Sequence, residues 1–151
     1  VILSLTCSSK IIIDEDQIIQ SRFYEADAIL LIGRVLSAAE LSNLLTLASD
    51  NDLDVLYEAH DEEDLNKGIE AGVKIFGINN RDLSNFNVSN DNIIKLYQKI
   101  PNDAILISES GIAGPEDVAT LKKVGISNFL VGESIMKSEN RVNFIQNLIK
   151  A

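Results

Sequence analysis

The chain is short of the residues that define several protein classes. Cysteine occurs once in 151 residues, at Cys7, and histidine once, at His60. One cysteine cannot close an intramolecular disulfide, so a disulfide framework is excluded and a reducing, cytoplasmic setting is expected. With no second histidine, and Cys7 distant in sequence, there is no metal-ligand constellation and no metal is expected. Basic residues are also scarce. Thirteen Lys plus Arg against 23 Asp plus Glu leave a net charge of −10, which disfavours nonspecific adhesion to nucleic acid or to an anionic membrane. Long apolar runs are missing: Ala28 to Gly33 and Ile11 to Ile13 fall far short of the ~20 residues of a membrane-crossing helix. The start at Val1 has neither a basic leader nor a cleavage pattern, and a chain that begins this way reads as cut off upstream. No linker rich in Pro, Gly or Ser divides it. The length supports one sizeable core, so a single domain over residues 1–151 is expected.

What the chain does contain is regular. Short runs rich in Ile, Val and Leu recur at Val1 to Leu5, Ala28 to Ile32, Asp54 to Tyr57, Lys74 to Ile78, Ala104 to Ile107 and Asn128 to Val131. Such runs read as parallel strands buried on both faces. Helical patterns with start signals lie between them. Ser37-Ala-Ala-Glu40 is a capping box, followed on one face by Leu41, Leu44, Leu45 and Ala48. Asp61, Ser89 and Gly114-Pro115 stand where a helix cap or first turn is expected, and Pro101 follows a helix carrying Ile93, Leu96, Tyr97 and Ile100. The joins into strands, Glu25-Ala26-Asp27, Glu70-Ala71-Gly72 and Lys123-Val124-Gly125, resemble one another at a spacing of about 25 residues, one βα unit. Six such units form either a doubly wound open sheet or most of an eight-unit barrel, and the local pattern does not choose between them.

Parallel α/β folds bind ligands at the carboxyl ends of their strands, so the polar residues that follow each run are the candidates for function. They are Ser8-Ser9-Lys10, Glu58-Ala59-His60-Asp61, Asn79-Asn80-Arg81-Asp82, Ser108-Glu109-Ser110-Gly111 and Gly132-Glu133-Ser134. Glu58 follows Tyr57 with no turn residue between, which places its carboxylate at the ligand end. Partial desolvation there is expected to raise its pKa and suit it to acid/base work. The blander alternative is a solvated acid at a helix start, beside Asp61, Glu62 and Glu63. His60, as a lone histidine, reads as a packing or capping residue. Asn79 and Arg81 offer an amide and a guanidinium to a carboxylate or hydroxyl, although Arg81 has Asp82 to pair with. Ser110-Gly111 and Gly132-Glu133, after the last two runs, allow backbone N–H groups to approach an anion; the plainer reading is two tight turns.

The segment Gly77-Ile78-Asn79-Asn80-Arg81-Asp82-Leu83 resembles indole-3-glycerol phosphate synthase. Val55 to Asp61 precedes it and Ser108 to Ile112 follows it, and the similarity runs from about Ile12 through Phe129 to Met136 to the C-terminus. The resemblance implies a (βα)8 barrel of the TIM type, here an incomplete one of about six βα units with parallel strands. The implied reaction is pyrrole-ring closure of 1-(2-carboxyphenylamino)-1-deoxyribulose 5-phosphate, with loss of carbon dioxide and water, in tryptophan biosynthesis. The enzyme would be a carbon–carbon lyase with a small phosphorylated substrate and no cofactor. By the same resemblance Glu58 is an acid/base residue, Asn79 orients the substrate and Arg81 lies near its carboxylate. Glu109 and Ser110 follow the next strand, Glu109 as a further catalytic residue and Ser110 with Gly111 at the phosphate, and Gly132 and Glu133 offer N–H groups to the same phosphate.

The sequence departs from the family in two places. The family's first two βα units, with a glutamate, a lysine and a serine, have no counterpart here. Where the family reads Arg-Lys-Asp-Phe, this chain reads Ser8-Ser9-Lys10-Ile11. Ser9 then takes the place of the catalytic lysine, and Lys10 stands one residue off, on the opposite face of a regular strand. Lys10 replaces that lysine only if the turn rearranges. Unpaired edges at Val1 to Leu5 and Asn128 to Val131 predict self-association or pairing with an N-terminal fragment. The alternative function is an inactive phosphate-binding remnant or assembly fragment of the same enzyme. A different phosphate-binding barrel, such as phosphoribosylanthranilate isomerase, is disfavoured by Asn79 to Asp82.

Overall fold

The computed structural model describes residues 7–80 and 91–151, and for residues 7–10, 91 and 92 the backbone only. The expected strand at Val1 to Leu5, the Ser89 cap and Arg81 lie outside the described residues. Strand and helix alternate: β1 (Cys7–Ile11), α1 (Glu15–Phe23), β2 (Ala28–Ile32), a 3₁₀ turn (Gly33–Val35), α2 (Ala38–Asp50), β3 (Asp54–Ala59), α3 (Glu62–Glu70), β4 (Ile75–Asn79), α4 (Asp91–Tyr97), β5 (Ile105–Glu109), α5 (Pro115–Lys123), β6 (Phe129–Leu130), α6 (Glu133–Lys137) and α7 (Arg141–Lys150). Hydrogen-bonded strand neighbours follow chain order from β1 to β6. Among the described residues no helix is long and apolar enough to cross a membrane. The chain forms two compact units, Val1–Gly77 with Ile100–Ile105, and Ile78–Lys99 with Leu106–Ala151; the boundaries fall inside β4 and β5.

In the first unit β2 pairs in parallel with β3 without a break, Ala28 opposite Asp54 through Ile32 opposite Glu58. Ile29 and Leu31, on one face, are wholly buried, while on the other face Ala28 is nearly so and Leu30 and Ile32 are half-buried. β1 pairs in parallel with β2, but Ser8 lies opposite Ile29 and Ile11 opposite the next residue, Leu30. Ser9 and Lys10 are therefore accommodated against a single step of β2, an irregularity of the β-bulge kind. Tyr57 and Phe76 meet edge to face, with centroids 6.0 Å apart. A Cβ on Gly68 of α3 would lie 2.6 Å from the Tyr57 ring and 2.8 Å from that of Phe76. Only a residue without a side chain lets the helix pack this closely, which accounts for a glycine in a helix interior. The helix starts follow their caps. Asp14 and Gln17 form one capping box and Ser37 and Glu40 another, while Asp61 accepts from the Asp64 N–H.

In the second unit β5 pairs in parallel with β6, Ser108 opposite Phe129 and Glu109 opposite Leu130. The Asn128 side chain donates to the Leu106 carbonyl at 2.9 Å, and the Asn128 backbone carbonyl accepts from the Ser108 N–H. Ile78, Ile93, Val118, Leu121 and Ile126 form the buried core. Pro115 opens α5, and Asp117 accepts from the Gly114 N–H at 3.1 Å.

Four helices, α1, α2, α3 and α5, end in the same way. The residue after the cap has a positive φ, being Glu25 (57°), Asp52 (53°), Gly72 (81°) or Gly125 (96°). The residue after that returns its N–H to the carbonyl five positions back, as in Ala26 to Ser21, Leu53 to Ala48, Val73 to Gly68 and Ile126 to Leu121. Each of those returning residues is buried. This is the Schellman arrangement with its apolar contact, and it delivers the chain into the next strand. It also corrects the alignment of the joins: Glu25, not Asp27, is the structural equivalent of Gly72 and Gly125.

Candidate active site

β3 becomes progressively more buried toward its carboxyl end, where Tyr57, Glu58 and Ala59 are all buried. Glu58 lies within the strand and is 8% exposed, which disposes of the solvated-acid alternative. Alternation along β3 directs residues two apart to one side, and His60 follows Glu58 at that interval. The His60 Nε2 atom lies 3.0 Å from Glu58 Oε1, and its Nδ1 atom 3.9 Å from Asp64 Oδ2. Asp64 also accepts from the His60 N–H at 3.2 Å, and its own carbonyl accepts from the Tyr57 hydroxyl at 2.8 Å. Burial, reinforced by the negative charges of Asp64 and Asp61, pushes the Tyr57 pKa far above the ordinary tyrosine value, so its hydroxyl remains a donor. Lys67 lies 3.8 Å from Asp64 and donates to the carbonyls of Gly33 and Leu36, tying the turn after β2 to α3. The single histidine thus lies between two buried carboxylates. Position two after Glu58 was the available signal for this contact, and the scarcity of histidine obscured it.

In the second unit Asn79 closes β4 half-buried, and Glu109 closes β5 at 4% exposure. Asn80 is buried; its N–H donates to the Glu109 carbonyl at 2.9 Å. Its side-chain amide donates to Ser108 Oγ at 3.0 Å and to the Ser110 carbonyl at 3.3 Å. Ser110 and Gly111 both have positive φ, 62° and 79°, a conformation that costs a residue with a side chain energy and that collects at functional sites. The Ser134 hydroxyl donates to the Ile112 carbonyl, joining this turn to the Gly132–Ser134 turn. Around Gly132 an added Cβ would meet nothing within 4 Å. Glu133 is exposed and pairs with Lys137 at 2.6 Å. The structure thus links the segment after β5 to the start of α6 through Ile112 and Ser134, and brings Glu58 together with His60. Lys10 lies in the irregular part of β1 with its side chain outside the described residues, where Arg81 also lies. Among the described residues no three His, Cys, Asp or Glu side chains group as a metal site.

Comparison with known proteins adds to this geometry. Of solved structures, 3-hexulose-6-phosphate synthase from Salmonella typhimurium superposes with a TM-score of 0.72 at 15% identity, covering 95% of this chain and 71% of that one. KGPDC from Streptococcus mutans gives 0.69 at 12% identity, covering 94% and 71%. At such identities the likeness shows the fold, parallel α/β of the TIM-barrel type. The sequence matches the indole-3-glycerol phosphate synthase family over residues 2–148. Curated proteins of that name are 39% identical over 137 residues in Lachnoclostridium phytofermentans and 46% identical over 128 residues in Caldanaerobacter subterraneus subsp. tengcongensis, covering 91% and 85% of this chain. The chain spans about half the length of these curated relatives, 51% and 50%. Matched nearly from end to end, the chain belongs to the indole-3-glycerol phosphate synthase family.

Proposed function

We propose that this chain carries the reaction its family is named for, ring closure of 1-(2-carboxyphenylamino)-1-deoxyribulose 5-phosphate to indole-3-glycerol phosphate, in the cytoplasm as part of tryptophan biosynthesis. The observation that carries the proposal is the position of Glu58, Asn79 and Glu109 at the carboxyl ends of three successive strands, the end where barrels of this type do their chemistry. In the reaction the ring carbon bearing the carboxylate bonds to the ketone carbon, whose oxygen takes a proton. Carbon dioxide leaves, the new hydroxyl departs as water, and loss of a proton from the neighbouring carbon completes the pyrrole. An acid and a base are therefore needed. Glu58 is assigned to proton transfer, with His60 holding its carboxylate in place. Asn79 and Arg81 orient the substrate, and Glu109 assists at the end of β5. Lys10 is assigned as the acid. Its support is the irregular register of β1, since a bulge re-aims side chains that strict alternation would turn away.

The substrate phosphate is assigned to Ser110, Gly111 and the Gly132–Glu133 turn. Binding there fixes the reacting atoms through energy spent away from the chemistry. Calorimetric titration with indole-3-glycerol phosphate tests the phosphate assignment. A carboxylate in Ser110→Glu repels the ligand, and the affinity is expected to fall at least tenfold, equivalent to about 1.4 kcal/mol. Equal binding by the variant, or no binding by the original chain, contradicts the assignment.

A further inference from the structure

We propose that Asn80, the residue after β4, is a positioning residue that orients the Ser110–Gly111 peptide for anion binding. The inference rests on the phosphate assignment above. Asn80 is 4% exposed, and three donations tie it to the end of β5: its N–H to the Glu109 carbonyl, and its amide nitrogen to Ser108 Oγ and to the Ser110 carbonyl. The last contact decides the turn. In a planar trans peptide the carbonyl of one residue and the N–H of the next point in opposite directions. A Ser110 carbonyl held toward the buried Asn80 amide therefore turns the Gly111 N–H away from it. Ser110 is in the left-handed region at φ 62°, where a residue with a side chain stays only when its surroundings hold it. The amide leaves its own Oδ1 buried with no hydrogen-bond donor among the described residues. An aspartate in its place would set an oxygen against the Ser110 carbonyl, so the position calls for a donor.

The test is a titration of the isotope-labelled full chain with inorganic phosphate, followed by the backbone amide signals of Ser110 and Gly111. Saturable shifts are expected in the original chain, with the Asn80 side-chain amide signals moving in step. Asn80→Leu, which keeps the branched shape and removes the donor, is expected to weaken phosphate about fivefold to tenfold, the scale of one lost hydrogen bond. Its remaining spectrum should be unchanged, which separates positioning from a general loss of structure. Asn80→Ala removes the same donor without bulk and carries the comparison if Asn80→Leu does not fold. Full affinity in either folded variant, or Asn80 side-chain signals in the original chain that ignore phosphate, overturns the role of Asn80 while leaving the phosphate site in place. If the original chain shows no saturable shift, the phosphate assignment itself fails, and Ser110→Glu will then also be without effect.

Discussion

Glu58, His60 and Asp64 show how little sequence separates a buried acid from the groups that hold it. Glu58 and His60 are two residues apart at the end of β3, and Asp64 lies four further on in the first turn of α3. Burying carboxylates is costly unless partners compensate, and the imidazole between them supplies one. Asp61 does a different task in the same segment. It caps α3, and its carboxyl is held below the ordinary value of 3.8 first by the hydrogen bond from the Asp64 N–H and then by Arg34 at 3.1 Å. Because the folded form binds the proton less readily than the unfolded chain, Asp61 stabilises the fold fully above pH ~4 and loses this effect as the pH falls through the lowered folded value. Asp61→Ala should cost about 1 kcal/mol at pH 7, a typical loss for a cap. The difference should shrink on acidification, as the original aspartate is itself protonated. Urea midpoints of both proteins between neutral pH and pH 2.5 check this; a difference independent of pH would mean that the cap acts without its charge.

At the scale of elements, the sequence is most informative where the controlling contacts are local. The run Ala28 to Ile32 is β2 residue for residue, and Ser37 with Glu40, Asp61, and Gly114-Pro115 start helices as their spacing indicates. Strand ends were less legible. β3 continues to Ala59 and β5 to Glu109, past the apolar runs, because pairing with a neighbour carries polar residues into the strand. Ser8 lies inside β1 for the same reason, and Ser9 and Lys10 follow it into the irregular part of the strand. Helix ends were concealed where a residue other than glycine takes the left-handed position, as Glu25 and Asp52 do. Relief of that strain, about 1–2 kcal/mol, outweighs the ~0.5–1 kcal/mol of chain entropy that glycine adds. Glu25→Gly should therefore stabilise the protein by roughly 0.5–1 kcal/mol, seen as a higher urea midpoint with an unchanged slope. A lower midpoint would show that the Glu25 side chain contributes more than its backbone conformation costs.

For the whole molecule, alternating parallel α/β structure and membership of the family were both legible, the first from recurring apolar runs and the second from Gly77 to Leu83 with its flanking segments. Contacts between distant residues were not. Asn80 meets Ser108 and Ser110 across 28 and 30 residues, and the left-handed turn at Ser110 follows from no local pattern. The central claim is that the strand-end residues of this chain perform the ring closure, with Glu58 moving the proton. Fluorescence-detected formation of indole-3-glycerol phosphate, compared between the chain and Glu58→Gln, tests it most directly. The variant keeps size and hydrogen-bonding capacity but cannot exchange a proton at neutral pH, so turnover by the original chain and a loss of about 10²–10⁴-fold in the variant are predicted. Turnover that survives the substitution, or no turnover by the original chain, would contradict the claim.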